Sequence, residues 1–336
     1  MKMTRMVNKR LVLKSLAGAA ASSLLAPLSW AQTYPSKIVN LVVPYPAGGG
    51  SDVIARGLVA QMGKVLGQTV IVDNQGGASG TIAAQKLLGE PADGYKVYVG
   101  SPNELILAPM AIAAAKFKSE DFRLVQKVAN FTLAVLVPSA LPVSNMDELI
   151  AYAARRAKEG KPLTYGSVGK GSIYHLLGEK LSQVTGVPMI HVPYRGGAPM
   201  TTDLVGGQID VYLGAMGANS PGMVAAGKLK LLAIISPERL DAYRNVPSVS
   251  DTPSLKDFRY SLWVGLLVKK GTPEPVVQAL HQATTAAMKD PALAHTAASV
   301  QDVLAQPQTL AQADQIYAES IAQYRAIAKS INLQAE

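Results

Sequence analysis

A chain of 336 residues can form one large domain or two ordinary ones, and 49% hydrophobic with 16% charged residues suits a packed globule rather than a disordered chain. No cysteine is present, which excludes disulfides, thiolate metal ligands and thiol nucleophiles together. The formal net charge of +9 suggests a nucleic-acid or membrane-surface partner only until its distribution is read.

That distribution is uneven. "MKMTRMVNKR" is basic, "LVLKSLAGAAASSLLAPL" is apolar and small, and "SWAQ" offers a cleavage site ending at Ala31. This is the order of an export signal, predicted over residues 1–31; Lys14 interrupts the apolar run, which argues against an anchored membrane helix. Lys9 stands where a twin-arginine motif would have its first arginine, so the export route stays open. Removing Lys2, Arg5, Lys9, Arg10 and Lys14 lowers the net charge from +9 to +4, with no dense basic stripe left to bind nucleic acid.

From Lys37 onward short apolar strands alternate with longer helical stretches. "KIVNLVV" reads as a buried strand, and Ile54, Leu58 and Met62 recur every four residues in the helix that follows. "QTVIVDN" and "GYKVYVGS" continue the rhythm. A second series begins with "TLAVLVP": helices are predicted at 145–160, 172–186 and 199–207, and strands at 161–167, 188–194, 209–215 and 228–236. After Asp251, "YSLWVGLLVKKGTPEP" leads to helices near 273–289 and 309–331. The pattern predicts an α/β chain of two similar units, each a mainly parallel sheet flanked by helices.

Three glycine-rich turns join a strand to a helix. In "VVPYPAGGGSD", Gly48, Gly49 and Gly50 precede Ser51, read as the helix N-cap, with Asp52 in the first turn. Bare backbone beside unpaired helix N–H groups is an anion site, or else a tight turn with no ligand. A phosphate loop does not fit, because Lys and Ser/Thr should follow the last glycine and Asp52 would repel a dianion. A carboxylate is easier to seat. "NQGGASG" is a second such turn, at the equivalent end of the next strand, and "TYGSVGKGSIYH" a third, with Ser172 as N-cap and His175 in the first helical turn. His175 reads equally as a hydrogen-bond donor to a ligand or as a packing residue. Ser172 and His175 as nucleophile and base is the weaker option, since no G-x-S-x-G surrounds the serine and no acid is placed to orient the histidine. His191, His281 and His295 lack metal-site spacing, and neither metal nor cofactor is expected.

The segments "YPSK", "LVVPYPAGGGSD", "LGQTVIVDNQGGASGTIAA", "PADGY", "YGSVGKGSIYHL", "HVPYRGGAPMTTDLVGGQID" and "GKLKLLAI", in that order, resemble the substrate-binding receptors of tripartite tricarboxylate transporters, the Bug-type periplasmic receptors. The resemblance spans nearly all of the chain after the signal. It implies a two-lobed, type II-like Venus flytrap with residues 32–132 plus 253–336 as one lobe, 133–252 as the other, and a ligand cleft between them. It also implies a non-enzymatic, monomeric periplasmic receptor that delivers a small carboxylate to membrane transporter subunits. By position it puts Tyr45, Ala47, Gly48, Gly49, Ser51 and Ser79 at the ligand from one lobe. Ser167, Gly171, Ser172, His175 and Asp203 come from the other, with the stretch Leu213 to Ala218 also at the cleft. The chain departs from the family at Gln75-Gly76, where Arg-Pro is usual, at Lys37-Ile38 for Lys-Pro, and at Arg195 for lysine, which changes the charge around the site. The alternatives are a secreted hydrolase using Ser172 and His175, or a sensor for an uncharged or aromatic solute.

Overall fold

The computed structural model describes residues 34–216, 220–236 and 243–335. The signal predicted over residues 1–31 lies outside them.

Two sheets organise the described chain. The first contains β1 (Val39–Val43), β2 (Val70–Asn74), β3 (Lys96–Gly100), β4 (Phe122–Phe131), β10 (Leu262–Lys269) and β11 (Val303–Leu304), in the order β11-β4-β10-β3-β1-β2. The second contains β5 (Leu133–Pro138), β6 (Thr164–Ser167), β7 (Ile190–Pro193), β8 (Val211–Ala215) and β9 (Leu229–Ile234), in the order β7-β6-β8-β5-β9. Each is flanked by helices, giving the two-lobed α/β fold.

The helices form where apolar spacing and caps agree. In α1 (Gly50–Leu66), Ile54, Leu58 and Met62 are fully buried, and Gly67 ends the helix in the left-handed region. α2 (Thr81–Gly89) follows a turn at Ala78–Gly80, and a π-helical turn at Asn103–Leu107 runs into the short α3 (Ala108–Ala111). In α4 (Met146–Lys158) the Asn145 side chain caps the Glu148 N–H, acids occupy the first turn and Arg155, Arg156 and Lys158 the last, as the helix dipole favours. α5 (Ile173–Thr185), α6 (Gly197–Val205) and α7 (Ser220–Ala225) serve the second sheet; α8 (Glu274–Met288), α9 (Pro291–Ser299) and α10 (Leu310–Ser330) close the chain.

The sheets are mixed rather than mainly parallel. β1 pairs in parallel with β2 and β3, and β6 with β7 and β8. β10 is antiparallel to β3 and β4, and β5 to β8 and β9. The reason is topological: β5 and β10 are the strands that enter a sheet from the other sheet, so no βαβ return sets their direction. The outward crossing takes one residue, Thr132. Its hydroxyl donates to the Gln301 carbonyl at 2.5 Å and its N–H to Asp302 Oδ1 at 3.4 Å. The turns after β1, β2 and β3 lie at the carboxyl ends of parallel strands, where open α/β sheets bind ligands.

Candidate functional site

The first glycine turn is built around Asp52. Its carboxylate is almost fully buried and accepts from the Gly48 N–H at 2.9 Å, Arg56 Nε at 2.9 Å and Asn74 Nδ2 at 3.0 Å. Burial alone raises the Asp52 pKa, but these hydrogen bonds outweigh it and hold the group below its ordinary value. Asp52 thereby takes over the loop, and Ser51 is not the N-cap expected from the sequence. The cap is Gly49, without a side-chain hydrogen bond, and Ser51 is already helical. Gly48 has φ of +85°, a conformation that favours glycine.

Gly48, Gly49, Gly50 and Ser51 line an inner cavity of about 50 Å³ between the sheets, room for roughly four waters. Gly197, Ala198 and Thr201, from the first turns of α6, line the same cavity. Two helix N-termini, one from each sheet, therefore converge on one cavity with their unpaired N–H groups and positive dipole ends. Ser101, Asn103 and Tyr45 add polar atoms, and Phe131, Leu262, Tyr174 and Tyr212 form apolar walls. No lysine, arginine or histidine is among the lining residues.

A larger pocket of about 740 Å³ adjoins it, with Tyr45 and Val168 shared between the two. The second glycine turn, Gly76 to Gly80, forms one wall, and Gly169, Lys170, Tyr194 and Arg195 belong to the other. Ala78 and Ser79 both have positive φ, at 45° and 52°, an unusual arrangement for residues with a Cβ. In this conformation the Ser79 hydroxyl donates to the Lys170 carbonyl at 2.8 Å, a hydrogen bond between the turns of the two sheets. A second crossing runs from the Ile173 N–H, in the first turn of α5, to Asn103 Oδ1 at 2.8 Å.

Of the residues singled out in the sequence, Tyr45, Gly48, Gly49 and Ser51 come together at the inner cavity, and Ser79 lines the outer pocket. Ala47 is exposed and lines neither. Ser167, Gly171, Ser172 and His175 also lie outside both linings. Ser172 is the N-cap of α5 as read from the sequence: its hydroxyl donates to the Gly169 carbonyl at 2.7 Å and accepts the His175 main-chain N–H at 3.4 Å. The His175 imidazole accepts from the Gly171 N–H at 3.3 Å through Nδ1 and lies 4.3 Å, between centroids, from His191. The pair is thus a cap and a packed ring, not a nucleophile beside its base. Ser167 Oγ lies 2.6 Å from His191 Nε2, and burial, with His175 and Lys170 nearby, lowers the His191 pKa to about 4. Asp203 lines neither pocket but accepts from the Tyr194 hydroxyl at 2.8 Å, behind the outer wall. From the stretch Leu213 to Ala218, Ala215 lines the inner cavity, while Gly217 and Ala218 lie outside the described residues.

The sequence reading passed over the turn after β3. "SPNELIL" puts Ser101 and Asn103 in the cavity wall and Glu104 directly behind it, fully buried. Its signal was available, because a polar turn at the carboxyl end of a third parallel strand belongs with the two glycine turns beside it. Among the described residues no cluster of His, Asp and Glu could hold a metal ion.

The family model described as "Tripartite tricarboxylate transporter family receptor" matches residues 54–333. The protein BugT of Bordetella pertussis is 30% identical over 299 residues, covering 86% of this chain and 88% of its own. Among solved structures, MatC from Rhodopseudomonas palustris with bound malate is 26% identical with a TM-score of 0.81, covering 88% of this chain and 99% of its own. A further R. palustris protein, solved with adipate, is 27% identical with a TM-score of 0.83, covering 90% and 100%. The match over most of the chain, on the two-sheet architecture that such receptors share, shows that this chain belongs to the tripartite tricarboxylate transporter receptor family.

Proposed function

We propose that the protein is an extracytoplasmic receptor that captures a small carboxylate solute between its lobes, residues 32–132 with 253–336 and residues 133–252, and delivers it as a monomer to membrane transporter subunits. The observation that carries this is the convergence of two helix N-termini on one small cavity. A carboxylate there meets main-chain N–H groups of Gly49, Gly50 and Ser51 from one lobe, on the turn that Gly48 shapes by donating to Asp52, and of Gly197 and Ala198 from the other. The malate and adipate held by two relatives of similar fold support the ligand class. Hydrogen bonds to a charged group contribute about 1.5–3 kcal/mol each. Three or four, less desolvation and closure costs, reach the roughly −8 kcal/mol of a micromolar complex. Because both lobes contribute, binding favours a closed arrangement, and closure presents a joint surface to the transporter. The predicted export signal supports a periplasmic location.

The test is a thermal-shift screen of protein stripped of bound solute by unfolding and refolding. Malate, adipate, aromatic acids, acidic amino acids and neutral amides make up the panel. A saturable rise in Tm with an acid supports the proposal. A rise with amides alone refutes it.

A further inference from the structure

Glu104 is a carboxyl group buried one hydrogen bond from a cavity suited to an anion. It sits in the π-helical turn after β3 with no exposed surface. Oε1 accepts the Ser101 N–H at 2.5 Å; Oε2 accepts the Ser101 hydroxyl at 2.8 Å and the Tyr45 hydroxyl at 3.2 Å. Ser101 and Tyr45 both line the inner cavity, as does the adjoining Asn103. Gly80, from the turn before α2, packs so closely that a Cβ there would lie 2.7 Å from Glu104 Cβ.

The titratable groups facing Glu104 are phenols: Tyr45 after β1, Tyr98 in β3, Tyr174 in α5 and Tyr317 in α10. All four are held above the ordinary tyrosine value by burial, so none changes charge near neutrality. The charged groups of the surrounding elements are engaged elsewhere. On α10, Asp314 pairs with Arg123 and Arg325 with Glu120. On α5, Glu179 accepts from Tyr165 and lies 3.9 Å from His175 Nε2, whose ring is tilted against His191; Lys170, in the preceding loop, lines the outer pocket. Lys86 on α2 is exposed. Of the other buried acids, Asp52 is held by Arg56, Asn74 and the Gly48 N–H, and Asp302 acts on Tyr174, Tyr212 and Tyr243 at the crossing between the sheets.

We propose, on the strength of the carboxylate reading above, that the receptor captures its acid together with one proton, taken from water by Glu104 as the solute carboxylate enters. Two anions separated by a single tyrosine hydroxyl repel, and the O–H bond formed on Glu104 removes one of them. The same proton reverses a hydrogen bond. Ionised Glu104 can only accept, so the Tyr45 hydroxyl points away from the cavity; neutral Glu104 donates to the Tyr45 oxygen and releases that hydroxyl to the solute. Burial raises the Glu104 pKa to about 7, so in the free protein the group is near half-protonated at neutral pH and a neighbouring anion completes the uptake.

Calorimetric titration with malate and with adipate, from pH 6 to 9 in two buffers of widely different ionisation enthalpy, tests this. From pH 7 upward both acids are almost wholly ionised, so they add almost no titration of their own over the interval that decides the test. The expected result at pH 8 is uptake approaching one proton per solute, with affinity falling about fivefold from pH 7 to 8 and nearly tenfold from 8 to 9. In Glu104→Gln, uptake disappears and affinity becomes flat with pH. Binding heat that is the same in both buffers, or a Glu104→Gln protein as pH-dependent as the wild type, overturns the coupling and leaves the carboxylate reading standing. No heat with either acid, and no shift with any acid of the wider panel, overturns both. The proton count of the wild type decides the matter even if the variant folds poorly.

Discussion

Gly171 and Gly186 make a matched pair of glycines on either side of α5, and they separate closure from stability. Both are left-handed, with φ of +77° and +68°. Alanine at either position therefore costs about 1–2 kcal/mol of backbone strain. They differ in surroundings. A Cβ on Gly186 meets nothing within 4 Å, whereas a Cβ on Gly171 would lie 2.5 Å from the Ala111 Cβ and 3.3 Å from both the Ala108 Cα and the Leu107 carbonyl oxygen. Those atoms belong to the opposite side of the cleft, and ordinary carbon contacts need about 3.5–4.0 Å. The lobes would have to part by about 1 Å, a clash of about 1–3 kcal/mol that exists only when the cleft is shut. Gly171→Ala is therefore expected to weaken solute binding by about 5- to 150-fold, while its Tm falls no further than that of Gly186→Ala. Gly186→Ala should bind as the wild type does. The assay is calorimetric affinity beside thermal unfolding without solute. Equal affinities for the two variants would refute the argument that Gly171 is needed for closure.

Asn103→Ala removes the acceptor that receives the Ile173 N–H across the cleft, and affinity should fall by about 0.5–1.5 kcal/mol, read by the same titration; an unchanged affinity would mean this contact persists in the open form. Ser172→Ala should lower stability by about 1 kcal/mol through loss of the α5 cap, with affinity within about twofold of the wild type; a tenfold loss of affinity at unchanged Tm would put the hydroxyl on the solute. Without solute, Glu104 binds a proton more tightly folded than unfolded, so stability falls as pH rises from about 4.5 and levels off above its folded value of about 7. The fall attributable to this group is on the order of 3 kcal/mol, present in denaturant melts of the wild type and missing from Glu104→Gln; parallel pH curves for the two proteins would show that the carboxyl is solvated.

Local pattern was readable wherever it determines structure locally. Ile54, Leu58 and Met62 fall on the buried face of α1, and Ser172 caps α5. The glycine turns at Gly48 to Ser51 and at Ser79 reach the pockets for the backbone reasons seen in the sequence. What escaped depends on distant partners. Ser51 reads as a cap until Asn74 and Arg56 are seen to hold Asp52, and Arg56 is one turn away while Asn74 arrives on another strand. The reversed β5 and β10 reflect crossings between sheets, which no period records. The partners of Ser167 and His175 were likewise out of reach of the sequence: Ser167 Oγ lies 2.6 Å from His191 Nε2, and His175 Nδ1 accepts the Gly171 N–H. The polar turn that holds Glu104 was legible by its place after β3, but the burial of the carboxyl depends on Tyr45 and Gly80 packed on it from other turns.

The distribution of charge between the two pockets has a kinetic consequence. Lys170 and Arg195 stand at the outer pocket, while the inner cavity is lined by dipoles, hydroxyls and aromatic rings. Full charges in contact with solvent act at a distance and are screened by salt; helix ends in a small cavity between the sheets act mainly at contact and are screened much less. Raising ionic strength should therefore slow the arrival of an anionic solute and leave its departure rate almost untouched. A receptor of this kind gathers its solute by one set of forces and retains it by another, so salt sets how quickly it fills rather than how long it stays full.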